Sequence, residues 1–421
     1  MENRYDKYKD SGIAWIGEIP EHWEIKRLKN VSDFNPQNDQ SISNFSEVGY
    51  LPMERLKNGY MLPSVINVYN LTQGLTFFKE NDIVMAKVTP CFENGNIAIA
   101  KNLINNCGFG SSELFIFRVR NINREYFFYL LQEEKIKEVC KSTMIGTGGL
   151  KRISPTFMRN LLLPIPPTLE QQSIAIYLDQ KCGEIDELIT LQEEMITKLQ
   201  SYKQSVITEA VTKGLDKNVP LKDSGIEWIG EIPEHWEVKR LKNVCSQINI
   251  KENSKENSLP YIGLENIESG SGRYIDTTSE VEGMANRFCK NNVLFGKLRP
   301  YLSKVYLAEK DGICSTEFIV YDTKSNNCRF IHKLLLSQAF IEVVNSSTYG
   351  AKMPRANSDF INNIYVQIPP LSEQQSIADY LDQKCSEIDE LISIKQQKVE
   401  KLKDYKKSLI FECVTGKRKV S

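Results

Sequence analysis

The most constraining feature of this chain is a 22-residue sequence that occurs twice. It reads DSGIAWIGEIPEHWEIKRLKNV from Asp10 and DSGIEWIGEIPEHWEVKRLKNV from Asp223, with only two differences. Agreement this close inside one chain indicates a duplicated unit, so the fold is expected to contain two copies of one arrangement. We call these two segments, 10–31 and 223–244, the joint motifs.

A second text is also repeated, later in each copy. EQQSIAIYLDQKCGEIDELI begins at Glu170 and EQQSIADYLDQKCSEIDELI at Glu373, with 18 of 20 positions identical. The joint motifs are 213 residues apart and these later texts are 203 apart, so the second intervening segment is ten residues shorter. The chain therefore reads as motif, variable segment and helix, followed by the same three parts again.

The later text predicts a long helix in each copy, over 168–213 and 371–414. Two prolines precede each proline-free run, and Thr168 or Ser372 is placed to cap its start. Alternating steps of four and three from Ile174 meet mainly apolar residues, which is typical of a coiled-coil seam. The seam residues predicted in the two helices are Ile174, Leu178, Ile185, Leu188 and Leu199, then Ile377, Leu381, Ile388, Leu391 and Leu402.

Two seams in one chain are expected to pack against each other in antiparallel fashion. The alternative is that each seam packs against a partner chain. Apolar positions beside the seam, at Ile189, Ile196 and Ile207, predict a further face for docking another protein.

The variable segments predict two globular α+β domains, because short β-rich runs such as LFIFRVR and EFIVYD alternate with turn residues and one helical stretch each. We call these domains head 1 and head 2. The predicted fold is α+β, with the heads in tandem repeat and two long antiparallel coiled-coil helices that give pseudo-twofold symmetry. The predicted ranges are 1–167 for the first joint motif and head 1, 168–213 for the central helix, 214–370 for the second joint motif and head 2, 371–414 for the C-terminal helix, and 415–421 for a basic tail.

The charge balance limits how the chain can bind nucleic acid. Its 421 residues include 53 Lys and Arg against 54 Asp and Glu, a formal net charge of -1. A uniformly basic surface is thereby excluded, so any DNA-binding surface must be local. The sequence has no membrane-length apolar run and no signal core, and its ten cysteines form no CxxC pair. These features favour a cytoplasmic protein.

The sequence also lacks the motifs of the enzymes that act on DNA or nucleotides. It contains no GxxxxGK[ST] phosphate loop, no Asn-Pro-Pro or Asp-Pro-Pro ahead of an aromatic residue, and no HExxH zinc motif. His22 and His235 occupy equal places in the joint motifs without a Cys or His neighbour, which favours a structural role over metal binding. The chain is therefore predicted to be non-catalytic, with no metal site of its own.

The pairing of DSGIxWIGEIPEHW with PPxxEQQSIAxYLDQK, twice around variable domains, resembles the specificity subunit of type I restriction-modification enzymes. The resemblance covers nearly the whole chain and includes FGKLRPYLSKVYLA and YGAKMPRANSDFI in head 2. It implies that each head is a target-recognition domain that reads one half of a bipartite, asymmetric site in double-stranded DNA. It further implies that the helices set the spacer and dock methyltransferase subunits, two of them, and that a restriction and translocase subunit joins. S-adenosylmethionine, ATP and magnesium would then belong to the partners and not to this chain.

Two alternatives stay open at the level of sequence. The first is a specificity module that pairs only with a methyltransferase. The second is a coiled-coil scaffold with two protein-binding heads and no affinity for DNA.

Candidate DNA contacts come from two kinds of segment. One is a locally basic window in head 2, from Cys289 to Lys310, with a single matching lysine in MAKVTPCF of head 1. The other is a pair of glycine-containing loops, GTGGLKRIS and YGAKMPRANS, in which small residues allow close backbone approach and cations supply hydrogen-bond donors. Solvated charges and ordinary glycine turns are the alternatives. The predicted contacts are Lys87, Lys151, Arg152, Lys297, Arg299, Tyr301, Lys304, Lys352, Arg355 and Asn357.

Overall fold

The computed structural model describes residues 4–37, 45–147, 149–254, 258–277, 283–350 and 352–420. Gly148 and Ala351 of the two glycine loops and Ser421 of the basic tail lie outside these ranges. The chain divides into two compact units. Unit 1 comprises Met1–Gln192 with Lys398–Ser421, and unit 2 comprises Glu193–Gln397. Each unit therefore contains one head, the start of the helix that follows it and the end of the other long helix.

Unit 1 consists of short strands and helices that lead into a long helix. Its strands are β1 Tyr8–Asp10, β2 Glu18–Pro20, β3 Glu24–Arg27, β4 Ser32–Phe34, β5 Glu47–Leu51, β6 Ser64–Asn67, β7 Thr76–Lys79, β8 Ile83–Ala86, β9 Ile97–Ile99, β10 Cys107–Gly110, β11 Leu114–Val119, β12 Ile145–Thr147, β13 Leu150–Arg152 and β14 Leu162–Ile165. Its helices are α1 Leu28–Val31, α2 Arg124–Gln132, α3 Glu134–Ser142, α4 Pro155–Asn160 and α5 Thr168–Lys213, the last of which continues into unit 2.

Head 1 is built on two four-stranded sheets, ordered β4-β11-β8-β9 and β6-β5-β10-β7. The central strands β8 and β11 are buried on both faces, as their continuous apolar text predicts. Side chains alternate across a strand, so Met85 and Phe117 join the core shared with α2 while Val84 and Ile116 join a second core. Helices therefore cover one face of the β8-β11 sheet, and a second apolar layer covers the other.

Unit 2 repeats this plan. Its strands are β15 Leu221–Asp223, β16 Glu231–Pro233, β17 Glu237–Arg240, β18 Ser246–Ile248, β19 Lys251–Asn253, β20 Tyr261–Ile262, β21 Met284–Phe288, β22 Val293–Gly296, β23 Val305–Leu307, β24 Gly312–Ser315, β25 Phe318–Asp322 and β26 Tyr365–Ile368. Its helices are α6 Leu241–Val244, α7 Cys328–Leu336, α8 Gln338–Ser346, α9 Ser358–Asn363 and α10 Leu371–Val414, the last of which ends in unit 1.

The two heads share a scaffold and differ at one sheet edge. The sheet β18-β25-β22-β23 matches β4-β11-β8-β9, and β20-β24-β21 matches β5-β10-β7, including the parallel first pair of each. Head 1 adds β6 beside β5, whereas head 2 adds β19 beside β21. The extra strand therefore lies on opposite edges of the matching sheets.

The helical stretch predicted in each head is two helices in the structure. The break lies at Glu133 in head 1 and at Ser337 in head 2, where ψ is 132° and 142°. The Glu133 carboxylate accepts a hydrogen bond of 2.9 Å from the Ile136 N–H and so caps α3. Neither glycine nor proline lies at these breaks, so the sequence pattern predicts one continuous helix in each head.

The long helices α5 and α10 coincide with the predicted ranges 168–213 and 371–414. Within unit 1, Lys406 Nζ lies 2.6 Å from an Asp186 carboxylate oxygen, and Arg418 donates a 3.3 Å hydrogen bond to the Tyr177 hydroxyl. The later residue, Arg418, contacts an earlier position of α5 than Lys406 does, so the two segments run antiparallel. Within unit 2, Lys203 Nζ lies 2.7 Å from Asp389 in the equivalent pair.

The predicted seam is wrong at two of its ten named residues, Leu188 and Leu391. Leu188 and Leu391 are 43% and 47% exposed, whereas the next residues, Ile189 and Ile392, are half-buried and 9% exposed. Ile174 is buried because the first turns of α5 also contact head 1, and counting onward from it places every second position one residue too early. The inward stripe of α5 consists of Leu178, Cys182, Ile185, Ile189, Gln192, Ile196, Leu199, Lys203 and Val206. Ile189 and Ile196, predicted as part of a docking face, lie in this stripe, and Ile207, also predicted there, is fully buried in the core of unit 2.

The first joint motif fastens head 1 to the start of α5. Trp23 is fully buried, and its indole N–H donates a 3.0 Å hydrogen bond to Glu170 Oε2. His22 Nε2 lies 2.6 Å from Glu170 Oε1, and the Tyr5 hydroxyl donates to Oε2 at 2.9 Å. Glu170 lies in the first turn of α5, where the helix dipole favours a carboxylate.

The second joint motif repeats the arrangement. Trp236 Nε1 donates to Glu373 Oε2 at 3.0 Å, and His235 Nε2 lies 2.6 Å from Oε1. Each indole also packs against the glycine that follows the other long helix, Gly214 or Gly416, both at positive φ. A Cβ on Gly416 would lie 2.3 Å from Pro20, so no larger residue fits there. The repeated text is a structural joint in both copies.

Candidate nucleic-acid interface

Three loops of head 1 converge on a junction that contains three of the predicted contacts. The Lys87 N–H donates to the Glu113 carbonyl at 3.0 Å, and the Ile153 N–H donates to the Lys87 carbonyl at 3.1 Å. Arg152 binds the Glu113 carboxylate through Nε and Nη2 at 2.8 to 3.0 Å. These charge-assisted bonds lower the pKa of Glu113. The junction therefore joins the backbone of Lys87 and the side chain of Arg152 at Glu113, with Lys151 next to Arg152 on β13.

Head 2 contains the same junction. The Lys297 N–H donates to the Glu317 carbonyl at 3.0 Å, and the Ala356 N–H donates to the Lys297 carbonyl at 2.9 Å. Arg355 Nη2 donates to Glu317 Oε1 at 2.7 Å. The shared pattern of lysine, glutamate and arginine fixes the same three loops in both heads.

The predicted cations differ in exposure and in their partners. Lys151 and Lys352 are exposed, whereas Lys87 Nζ donates to the Ser112 carbonyl at 2.7 Å. Arg299 adopts φ 50°, and its N–H donates to the Pro354 carbonyl at 2.7 Å, which places it beside the glycine loop of head 2.

Two predicted contacts are engaged inside head 2. Lys304 Nζ donates to the Leu264 carbonyl at 2.6 Å, and burial lowers the pKa of this lysine. The Asn357 side-chain oxygen accepts from the Asp359 N–H at 2.7 Å and caps α9. Tyr301 is 53% exposed and lines a cavity of about 660 Å³ with residues of α5 and α10 in unit 2. These internal contacts occupy the side chains of Lys304 and Asn357.

Glu113 and Glu317, the ion-pair partners of Arg152 and Arg355, are the junction residues that the sequence prediction missed. Both stand at the same place in the matching texts SSELFIF and STEFIVY. The available signal was an acid and an arginine that recur at matching positions in both copies, 39 residues apart in head 1 and 38 in head 2. Within the part of the chain that the structure describes, no three His, Cys, Asp or Glu side chains are grouped to hold a metal ion. None of the described helices is long and apolar enough to cross a bilayer.

These two similar heads, each carried on a long helix, match a known family. Its sequence pattern, described as "Type I restriction modification DNA specificity domain", matches residues 20–200 and 233–403. The chain belongs to this family. Each match begins inside a joint motif and ends inside a long helix, so one specificity domain corresponds to one copy of the repeat. The resemblance drawn from the repeated motifs is thereby confirmed.

Relatives of this specificity family match over different extents. The MjaVIII specificity subunit of Methanocaldococcus jannaschii is 25% identical over 424 residues, which cover 96% of this chain and 94% of that subunit. The EcoAI specificity subunit of Escherichia coli is 30% identical over 225 residues, which cover 52% of this chain but only 37% of the relative.

Two solved structures share the fold of this specificity-family chain. One, from work on complex assembly and conformational transition of the type I R-M system, has a TM-score of 0.74 at 15% identity and covers 94% of this chain and 99% of its own. The HsdS subunit from Thermoanaerobacter tengcongensis has a TM-score of 0.54 at 16% identity, with 94% and 98% covered. The predicted tandem α+β fold is confirmed.

Proposed function

We propose that the chain is the DNA sequence-recognition subunit of a type I restriction-modification complex. Head 1 reads one half of a bipartite, asymmetric site in double-stranded DNA, and head 2 reads the other. The observation that supports this most directly is the repeated junction, which presents loops of different sequence from the same framework in both heads. A constant framework with variable loops is what reading two different half-sites requires.

The long helices provide the surface for the methyltransferase subunits. In unit 1, Leu188 and Leu191 of α5 are 43% and 47% exposed and Tyr405 of α10 is 50% exposed. In unit 2 the equivalent Leu391 and Ile394 are 47% and 52% exposed. Apolar side chains three residues apart on an outward helical face suit packing against helices of another protein. Two equivalent faces support two methyltransferase subunits per chain.

In this proposal the chain is not an enzyme. S-adenosylmethionine, ATP and magnesium bind the methyltransferase and the restriction and translocase subunits, and the chain determines where they act. Absence of the phosphate-loop and methyltransferase motifs from the sequence supports this division.

The proposal is tested by selection from a pool of random duplexes with the chain assembled with its methyltransferase. Sequencing of the bound DNA is expected to return two short, different half-sites separated by a fixed number of unspecified base pairs. Binding without sequence enrichment would contradict sequence reading, and no binding to any duplex would favour the protein scaffold.

A further inference from the structure

The hairpin formed by β12 and β13 exposes apolar side chains beside the cations of head 1. Ile145 is 76% exposed and Leu150 is 52% exposed. The hairpin register pairs Ile145 with Arg152 and Thr147 with Leu150. Directly paired residues of antiparallel strands project on the same face, so Ile145, Leu150 and Arg152 share one face of the hairpin.

This exposure does not come from a poorly held segment. The Thr89 hydroxyl donates to the Gly149 carbonyl at 2.6 Å and accepts from the Lys151 N–H at 2.9 Å. The Thr89 N–H donates to the Lys151 carbonyl at 3.0 Å. A Cβ on Gly146 would lie 2.1 Å from the Leu150 carbonyl oxygen, so the strands approach too closely for any residue but glycine. The chain therefore holds two apolar side chains in water with a fixed backbone.

Head 2 places different apolar side chains at the equivalent positions. Tyr349 and Met353 are each 62% exposed. Tyr349 pairs with Arg355 through two backbone hydrogen bonds of 3.3 and 3.0 Å, as Ile145 pairs with Arg152. The two heads therefore share the backbone pairing at this position but carry different apolar side chains. That is the pattern expected where two heads must prefer different ligands through one framework.

The charges around each hairpin suit DNA as the ligand. The loops of the head 1 junction carry three cations together with the carboxylate of Glu113, and those of head 2 carry four together with that of Glu317. The cations are Lys87, Lys151 and Arg152 in head 1, and Lys297, Arg299, Lys352 and Arg355 in head 2. Excess positive charge suits phosphates, while exposed apolar groups suit base edges such as the methyl group of thymine.

We propose that Ile145 with Leu150 and Tyr349 with Met353 determine the bases preferred in the first and second half-sites. The inference rests on the proposed function and adds the positions that set specificity. In each head the cations hold the phosphate backbone, and the apolar pair contacts base edges in the groove.

The test compares bound sequences for the full chain, assembled with its methyltransferase, before and after substitution. The double variant Ile145→Ala with Leu150→Ala is expected to lose preference about tenfold or more at one or two positions of one half-site. The other half-site and the spacer should stay unchanged, which makes head 2 an internal control for folding and assembly. Tyr349→Ala with Met353→Ala should change only that other half-site.

The outcomes separate the inference from the proposed function. If the unsubstituted complex selects no sequence, both fail. If it selects a bipartite site that neither double variant changes, the inference fails and the proposed function stands. A uniform loss of affinity with both half-sites intact would also overturn the inference, because the hairpin would then be a nonspecific anchor. Ile145→Thr, which keeps a β-branched side chain on the strand, supplies the same readout if the double variant does not assemble.

Discussion

The joint between head and helix depends on one carboxylate in each copy. Glu170 accepts hydrogen bonds from an indole and a phenol and lies beside an imidazole, while its backbone opens a helix 46 residues long. Glu373 has the same indole and imidazole partners. Because one residue contacts both the head and the helix, few other residues could replace it. This gives a physical reason for the near-identity of the repeated sequences.

Trp23→Phe tests this joint, because it removes the indole N–H while keeping an aromatic ring. A hydrogen bond to a partly exposed carboxylate is worth about 1–2 kcal/mol, so the thermal unfolding midpoint should fall. Trp15→Phe, in the same motif but partly exposed, should have little effect and serves as the control. Equal midpoints for Trp23→Phe and the unsubstituted chain would show that the joint gains nothing from this bond.

Lys151 and Lys352 test the phosphate role of the glycine loops. Replacing either by Ala should weaken binding to all DNA sequences alike, because a phosphate contact carries no base information. The slope of log affinity against log salt concentration should fall by about 1 per lysine removed. Lys29→Ala, an exposed lysine of α1, is the control and should leave the slope unchanged. An altered half-site with an unaltered slope would assign these lysines to base reading.

At the scale of the element, α5 and α10 each present two apolar stripes one residue apart. The inward stripe packs within each unit, and the outward stripe contains Leu188 and Leu191 with their equivalents in α10. Because both stripes are apolar, hydrophobic periodicity alone does not say which one faces the other helix.

Ile185→Ala and Leu188→Ala separate the two stripes on one helix. Ile185 is 5% exposed, so its truncation should cost about 2–4 kcal/mol of unfolding free energy. Leu188 is 43% exposed, so its truncation should change stability by less than about 0.5 kcal/mol but weaken binding of the methyltransferase. Denaturant unfolding and titration calorimetry measure the two effects. Unchanged calorimetry for Leu188→Ala would remove this face from the docking surface.

The elements differ in how far the sequence predicts them. The starts of α5 and α10 follow from the double prolines that precede them. The central strands of both heads follow from their apolar text. The breaks at Glu133 and Ser337 do not, because those residues also fit a helix interior. The pairing of Arg152 with Glu113 joins residues 39 positions apart, which spacing alone cannot reveal.

At the scale of the whole molecule, constant and variable parts are separated. The joints and the first part of each long helix, 170–189 and 373–392, are nearly identical between copies. The heads keep one four-stranded sheet and three strands of the other, and they differ in the edge strand and in the hairpin side chains. Under the proposed function, a head can change the bases it reads while the surface that docks methyltransferase stays constant.

The same separation predicts that helix length sets the spacer between half-sites. Seven residues inserted after Gln192 of α5 and after Lys395 of α10 preserve the stripe pattern, since seven is two turns of the seam. Each helix would lengthen by about 10 Å, or about three base-pair steps of 3.4 Å. Methylation mapping should then show unchanged half-sites with about three more base pairs between them. Seven flexible residues inserted into the 215–219 loop, outside both helices, should leave the spacer as it was. If the helix insertions also left the spacer unchanged, the length of the helices would not determine the spacer.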